Sequence, residues 1–245
     1  MLQRVTIPGL LVTGTDTGVG KTVIAGAIAH WFGHSEHLRV AVCKPVGTGC
    51  VHRREGLVSE DAELLAHWAD ARHPLDLICP QRFVEPLAPA VAAERAKQAI
   101  DWEAIGRAMR LMSRDSDVMI VEGIGGVMVP MDEKHTFLDV AEWLGLAAVV
   151  VARPGLGTIS HTLLTLAALR SRKVPIAGVV INRYPTDTPG LAEETSPRAI
   201  ERWGKVPILC IVPEEKMAAA GAAPAIPGGI AAAIRTVDWA KFTRR

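Results

Sequence analysis

The segment Gly14-Thr-Asp-Thr-Gly-Val-Gly-Lys21-Thr22 has the residue types and spacing of a phosphate-binding loop. A glycine-rich turn between a strand and a helix points successive backbone N–H groups into one concavity, and the helix N-terminus adds partial positive charge. In that setting Lys21 would reach the β- and γ-phosphates of a nucleotide, and the Thr22 hydroxyl would ligate Mg2+. The loop departs from the strict pattern at one place. The position five residues before its last glycine is Thr15, and the glycine falls one residue earlier, at Gly14.

Such a loop needs a carboxylate from a neighbouring strand to hold the metal. Asp117-Val-Met-Ile-Val-Glu122-Gly-Ile-Gly-Gly126 supplies an apolar strand ending in Glu122, followed by glycines that leave room for phosphate. Val42-Cys-Lys44-Pro-Val-Gly-Thr48-Gly49 ends another strand in a lysine and a small hydroxyl residue. Both are poised at the carboxyl edge of the sheet, where open α/β folds bind ligands. Asp61 adds a carboxylate at the start of a helix. Leu156-Gly-Thr-Ile-Ser160-His-Thr-Leu-Leu-Thr165 is a glycine-containing loop running into a helix N-terminus, which suits a carboxylate or another anion. Each residue also has a structural role open to it: Lys44 and Glu122 as strand-end charges, Asp61 as a helix-terminal carboxylate, Thr48 as a turn hydroxyl.

These residues need a scaffold that brings strand ends together. Short β-branched runs alternate with amphipathic, alanine-rich stretches, which predicts a parallel α/β sheet with helices on both faces. The strands are expected at Leu10–Thr13, Leu38–Cys43, Val118–Val121, Ala147–Val151, Ile176–Ile181 and Ile208–Val212. Helices are expected near Lys21–Phe32, Glu60–Ala69, Trp102–Met112, Leu138–Leu144, His161–Ser171 and Glu193–Trp203, with Asp101 and Ser160 as N-caps. Ala218–Ala233, rich in Ala, Gly and Pro, reads as a loop, followed by a short helix around Ile230–Phe242.

The chain has 245 residues, 49% hydrophobic and 22% charged, which suits one well-buried domain spanning 1–245. Aromatic residues make up only 4%, so Val, Ile, Leu and Ala must build the core. A net charge of +1 gives no electrostatic case for nucleic acid as a partner. No stretch is apolar and long enough to span a bilayer, and the N-terminal residues lack the marks of a secretory signal. Cys43, Cys50, Cys79 and Cys210 show no Cys-x-x-Cys spacing and are expected to be reduced thiols in a cytoplasmic protein. His30, His34 and His37 read as a solvated cluster at a helix end.

Taken together, Gly14–Thr22, Lys44–Gly49, Glu85-Pro-Leu-Ala-Pro89, Val121–Gly126 and Leu156–Thr165 resemble the dethiobiotin synthase family, in the family's order and across roughly the first 215 residues. The resemblance implies a homodimeric, P-loop NTPase-like ligase of biotin biosynthesis. Its substrates would be 7,8-diaminopelargonate, CO2 and ATP, and its reaction would run through a carbamate and a carbamic-phosphoric anhydride to ADP and phosphate. Lys21 and Lys44 would then be catalytic, neutralising charge on the carbamate and the transferring phosphoryl group. Thr22, Asp61 and Glu122 would hold Mg2+. The nucleotide would meet Gly18, Val19, Gly20, Val23, Gly123, Ile124 and Gly125. Asn182 would read adenine beside Arg183, and Pro213, Glu214 and Glu215 would flank the base. Thr48 would bind the substrate near its amines, and Leu156, Gly157, Thr158 and Ser160 would take its carboxylate tail from across a dimer interface.

Two positions depart from the family pattern: Gly18 replaces a frequent acidic residue, and Ser160 a common asparagine. Other P-loop classes fit less well. ATPases that position other proteins carry a second lysine early in the loop, where this chain has Asp16. The synthetase half of a cobyrinate-type amidotransferase shares the ATP core, but 245 residues leave no room for a glutaminase domain. A noncatalytic nucleotide sensor would not need Lys44, Asp61 and Glu122.

Overall fold

The computed structural model describes residues 4–54, 56–216 and 224–243. In chain order the first elements are β1 (Gly9–Gly14), α1 (Lys21–His34), β2 (Val40–Cys43), β3 (Val46–Gly47), β4 (Val51–Arg53), β5 (Gly56–Val58), α2 (Glu60–Trp68) and α3 (Leu75–Ile78). They are followed by β6 (Gln81–Arg82), α4 (Pro89–Ala96), α5 (Trp102–Met112), β7 (Val118–Glu122), α6 (Phe137–Leu144) and β8 (Ala147–Ala152). The last are α7 (Thr158–Ser171), β9 (Ile176–Tyr184), α8 (Leu191–Gly204), β10 (Ile208–Pro213), α9 (Gly228–Arg235) and a 3-10 turn at Trp239–Phe242.

Six strands form one parallel sheet in the order β10-β9-β8-β1-β7-β2. Every residue of β1, β2 and β7 is buried, because β-branched and leucine side chains on both faces meet helices. Helix α1 packs with α2 and α9, while α7 packs with α6 and α8. The order places β1 between β7 and β8, so the chain reverses its direction of winding beside β1. Ligands bind at such a point, outside the carboxyl ends of the strands. Two short pairs, β3 with β6 and β4 with β5, decorate that edge.

All six expected strands and six expected helices are present, with boundaries moved by a few residues. The short strands β3 to β6 and the one-turn helix α3 were not expected, and three further features differ. Helix α7 begins at Thr158, not His161, and its N-cap is Gly157 at φ 91°, so Ser160 lies within the first turn and caps nothing. A left-handed residue suits glycine, and it lets the helix start earlier than the side-chain signal indicated. Helix α9 begins at Gly228, inside the stretch expected to be a loop; residues 218–223 of that stretch lie outside the described residues. Helix α4 was not expected, because Pro89-Ala-Val-Ala-Ala-Glu-Arg-Ala offers only two turns; its start fits proline at the first helical position. Asp101 caps α5 as expected, accepting from the Ala104 N–H at 2.8 Å. All four cysteines are free and buried. Among the described residues, no helix is long and apolar enough to cross a membrane.

Candidate active site

The turn after β1 carries the phosphate loop, and α1 starts from Gly20 with no side-chain cap. The first-turn N–H groups of a helix have no intrahelical acceptor, so an uncapped start offers them to an anion. Gly20 stands at φ 92°, and a Cβ there would fall 2.1 Å from Asn182 Nδ2, so no other residue fits. Lys21 turns back over the loop, its Nζ donating to the Asp16 carbonyl at 2.8 Å. Burial pushes its ammonium down to about 8; Glu122 opposes that shift, and nearby Lys44 adds to it.

Beside the loop, four side chains meet. Thr22 Oγ1 donates within a pair of carboxylates, 2.8 Å from Glu122 Oε1 and 3.1 Å from Asp61 Oδ1. Lys44 Nζ bridges the same two groups, at 2.5 Å from Asp61 Oδ2 and 3.0 Å from Glu122 Oε1. Each arrives on a different element: Thr22 on α1, Lys44 just past β2, Asp61 in the first turn of α2, Glu122 at the end of β7. The Ser59 hydroxyl fixes the start of α2, accepting from the Ala62 N–H.

Electrostatics follow from burial. Glu122 is 1% exposed; desolvation raises its carboxyl above the ordinary range, Lys44 opposes this and Asp61 reinforces it. Burial also works against the Lys44 charge, but Glu122 and Asp61 together outweigh it and hold the lysine above its usual value. Asp61 likewise resists desolvation through Lys44 and titrates below the usual carboxylate. Glu122 Oε2 is buried and has no hydrogen-bond partner. An unpaired carboxylate oxygen beside Thr22 and Asp61 fits a hard divalent cation, which prefers oxygen donors. Among the described residues no three His, Cys, Asp or Glu side chains converge into a metal cage. The metal would therefore need phosphate or water oxygens as well, as Mg2+ usually does.

A cleft of about 950 Å3 opens over this cluster. Of the expected residues, Gly18, Gly20, Lys21, Thr22, Val23, Lys44, Thr48, Asp61, Glu122, Ile124, Gly125 and Arg183 line it. Pro86 to Pro89 form another wall. Val19 and Gly123 are buried beneath the lining, Gly123 against the Phe137 ring. Asn182 does not face the cleft: its Nδ2 donates to the Val19 carbonyl at 2.9 Å. Pro213, Glu214 and Glu215 stand at the end of β10, away from the lining, where Glu215 accepts from the Gly229 N–H at the start of α9. Leu156, Gly157, Thr158 and Ser160 are also outside the cleft. Leu156 is 89% exposed, and Thr158 is turned into the core.

Several lining residues were not anticipated. Glu60, Glu63, Leu64 and His67 recur on α2 at helical spacing and present one face to the cleft. That stripe was readable once Asp61 had been placed at the head of the helix. Arg53 arrives on the β4–β5 hairpin, pinned to Glu63 at 2.6 Å. Pro224 comes from far along the chain, its carbonyl held by Trp68 Nε1 at 2.6 Å, and no local signal marks it.

Comparison with known proteins adds independent evidence. A family model described as an AAA domain matches residues 8–220. Among solved structures, a ParA family ATPase from Chlorobium tepidum TLS aligns at TM-score 0.51 with 16% identity, covering 85% of this chain and 84% of its own. The MinC:MinD cell division complex of Aquifex aeolicus aligns at TM-score 0.52 with 15% identity, covering 85% and 82%. At such identities these likenesses establish the P-loop ATPase fold alone. Sequence relatives are closer. The ATP-dependent dethiobiotin synthetase BioD of Thermodesulfovibrio yellowstonii is 38% identical over 212 residues, 84% of this chain and 88% of the relative. That of Anaeromyxobacter dehalogenans (strain 2CP-C) is 42% identical over 184 residues, 75% and 80%. That of Nitrosospira multiformis is 38% identical over 208 residues, 85% and 89%. With these relatives 38–42% identical over three quarters or more of its length, the chain belongs to the ATP-dependent dethiobiotin synthetase family of ligases.

Proposed function

We propose that this protein is the ATP- and Mg2+-dependent ligase that closes the ureido ring of dethiobiotin from 7,8-diaminopelargonate and CO2. The coarser activity, ATP-dependent dethiobiotin synthesis in the making of biotin, follows from its family. The observation that carries the finer reading is the convergence of Lys44, Asp61, Glu122 and Thr22 beside the phosphate loop, under a cleft that also takes in Thr48.

One amine of the substrate attacks CO2 and loses a proton, giving a carbamate. A carbamate oxygen then attacks the γ-phosphorus of ATP and displaces ADP, forming a carbamic-phosphoric anhydride. The second amine attacks the carbonyl carbon, phosphate leaves, and the ring is closed. Negative charge builds on the transferring phosphoryl group and the carbamate, so fixed cations in a shielded site lower the barrier. Lys21 and Lys44 are those cations. Thr22, Asp61 and Glu122 would hold Mg2+, which when bound offsets charge on the phosphate oxygens. Thr48, half-buried on the cleft wall, would bond the substrate near its reacting amines. Arg183 would lie against the nucleotide.

The carboxylate tail is assigned to Leu156, Gly157 and Ser160 of a second subunit. Support comes from the exposure of Leu156 beside an uncapped helix start and from the absence of this loop from its own subunit's cleft. The test is product identification by mass after incubation with Mg-ATP, 13C-bicarbonate and 7,8-diaminopelargonate. Dethiobiotin carrying one heavy carbon, matched by ADP and phosphate, is expected. ATP turnover indifferent to the diamine, without labelled product, would reject the reading.

A further inference from the structure

We infer that Asn182 is a positioning residue for the phosphate loop: its side-chain amide clamps the Val19 carbonyl and thereby aims the Gly20 N–H at the nucleotide's phosphates. The inference rests on the reading of the cleft as a nucleotide site, but not on which acceptor is phosphorylated.

The geometry is specific. Asn182 ends the buried run of β9 and is itself 3% exposed. Its Nδ2 reaches across 163 residues of sequence to the Val19 oxygen at 2.9 Å. The peptide between Val19 and Gly20 is planar and trans, so its C=O and N–H point in opposite directions. Fixing the oxygen toward Asn182 turns the Gly20 N–H away from Asn182, and Gly20 lines the cleft. Gly20 completes the arrangement, since a Cβ would stand 2.1 Å from the same Nδ2 and drive the clamp apart. Val19 is held from its other side too, 4% exposed within the core. One of the two amide N–H groups is thus given to the loop, and Asn182 does not line the cleft. The next residue, Arg183, takes φ 58° and carries the chain out to the cleft wall. A left-handed non-glycine residue is uncommon and tends to be retained where a site requires it. β9 therefore places two successive residues in different tasks, Asn182 beneath the loop and Arg183 beside the ligand.

A base-free ligand separates loop positioning from base reading. Binding of ATP and of inorganic tripolyphosphate, each with Mg2+, would be measured by calorimetry on the whole protein and on Asn182→Ala, Asn182→Ser and Asn182→Asp. Loss of the donor is expected to weaken both ligands by the same factor, roughly tenfold, as for a buried hydrogen bond left unmade. Asn182→Asp, which keeps an acceptor but has no amide donor, should fall with Asn182→Ala. The serine hydroxyl, smaller and still a donor, keeps a folded comparison available if the alanine protein does not fold. In turnover, KM for ATP should rise while KM for the diamine stays unchanged, a split that general destabilisation would not produce. Weakened ATP with unchanged tripolyphosphate would overturn the inference in favour of base reading, and unchanged binding of both would overturn it outright. Failure of the unsubstituted protein to bind either ligand would instead overturn the nucleotide-site reading.

Discussion

Lys44 and Glu122 form an ion pair inside the protein, Nζ to Oε1 at 3.0 Å, with the lysine 4% exposed and the glutamate 1%. Breaking such a pair strands one buried charge and costs about 3–5 kcal/mol, whereas replacing both partners by apolar groups is often close to neutral. Lys44→Met is therefore expected to lower stability in urea unfolding more than the double substitution Lys44→Met, Glu122→Leu. A double variant no more stable than Lys44→Met would overturn this expectation. In turnover, folded Lys44→Ala and Lys21→Ala should each be slower by about 100- to 1,000-fold, the usual effect of losing one preorganised donor. Near-normal dethiobiotin formation by Lys44→Ala would remove it from the catalytic set.

The metal assignment predicts a shifted Mg2+ requirement. Thr22→Val removes one oxygen without altering charge, and Asp61→Asn removes a carboxylate that is half-exposed at the cleft. Each should raise the Mg2+ concentration for half-maximal turnover by at least the roughly 10- to 100-fold typical of outer-shell contacts. Mg2+ titration of initial rates measures this. An unchanged requirement in both variants would exclude them as ligands.

Asp132 sets a test of stability against pH, in the segment that follows the glycines after β7. It accepts from Trp102 Nε1 at 2.7 Å and from the Lys134 and His135 N–H groups at 2.8 Å each, with the His135 ring at 2.9 Å. Burial works against its charge, but these contacts outweigh it and hold the carboxyl at about 2, below the ordinary 3.8. A lowered carboxylate contributes stability that is complete above the unfolded value and is lost as pH falls through the folded one. Asp132→Asn should thus be less stable by about 2 kcal/mol at pH 6, with the gap narrowing as pH falls from 4 to 2. Urea unfolding at pH 6, 4 and 3 would reveal a constant gap if the charge were irrelevant.

The shared-site reading predicts complementation between two inactive subunits. Lys21→Ala disables the phosphate loop, and Gly157→Val should disrupt the tail loop, since Gly157 stands at φ 91° where a β-branched residue is strained. After subunit exchange, half the dimers are mixed, and each retains one intact site if the two halves come from different subunits. Activity should recover to about a quarter of the unsubstituted enzyme, because an isologous interface repeats every contact. No recovery despite confirmed exchange would place the tail within one subunit.

The sheet was legible because its strands are apolar on both faces and leave no doubt about period or length; β1, β7 and β8 are the plainest cases. The meeting of the phosphate loop, Lys44, Asp61 and Glu122 at one edge was legible because these residue types stand at strand and helix ends. What escaped depends on tertiary contacts. Pro224 reaches the cleft through Trp68, 156 residues away, and Arg53 rides on a hairpin whose β4 residues are all exposed. The start of α7 was misplaced because Gly157 opens the helix by backbone conformation, which carries less sequence signal than a serine side chain. Asn182 was noticed for the right neighbourhood, but the partner of its amide is a backbone oxygen that residue types do not reveal.

Thr22 and Glu122 touch although 100 residues separate them, because β1 and β7 are adjacent strands joined by a distant crossover. For a chain that emerges N-terminus first, the phosphate loop is made long before the carboxylate that Thr22 meets. Closing so long a loop is slow, since its entropy is lost before any contact rewards it. Early, partly wound forms would therefore lack a nucleotide grip, and ATP would stabilise only chains whose central strands have already paired. The cosubstrate then acts as a ratchet on maturation, drawing the population toward the finished sheet without accelerating the first steps that build it.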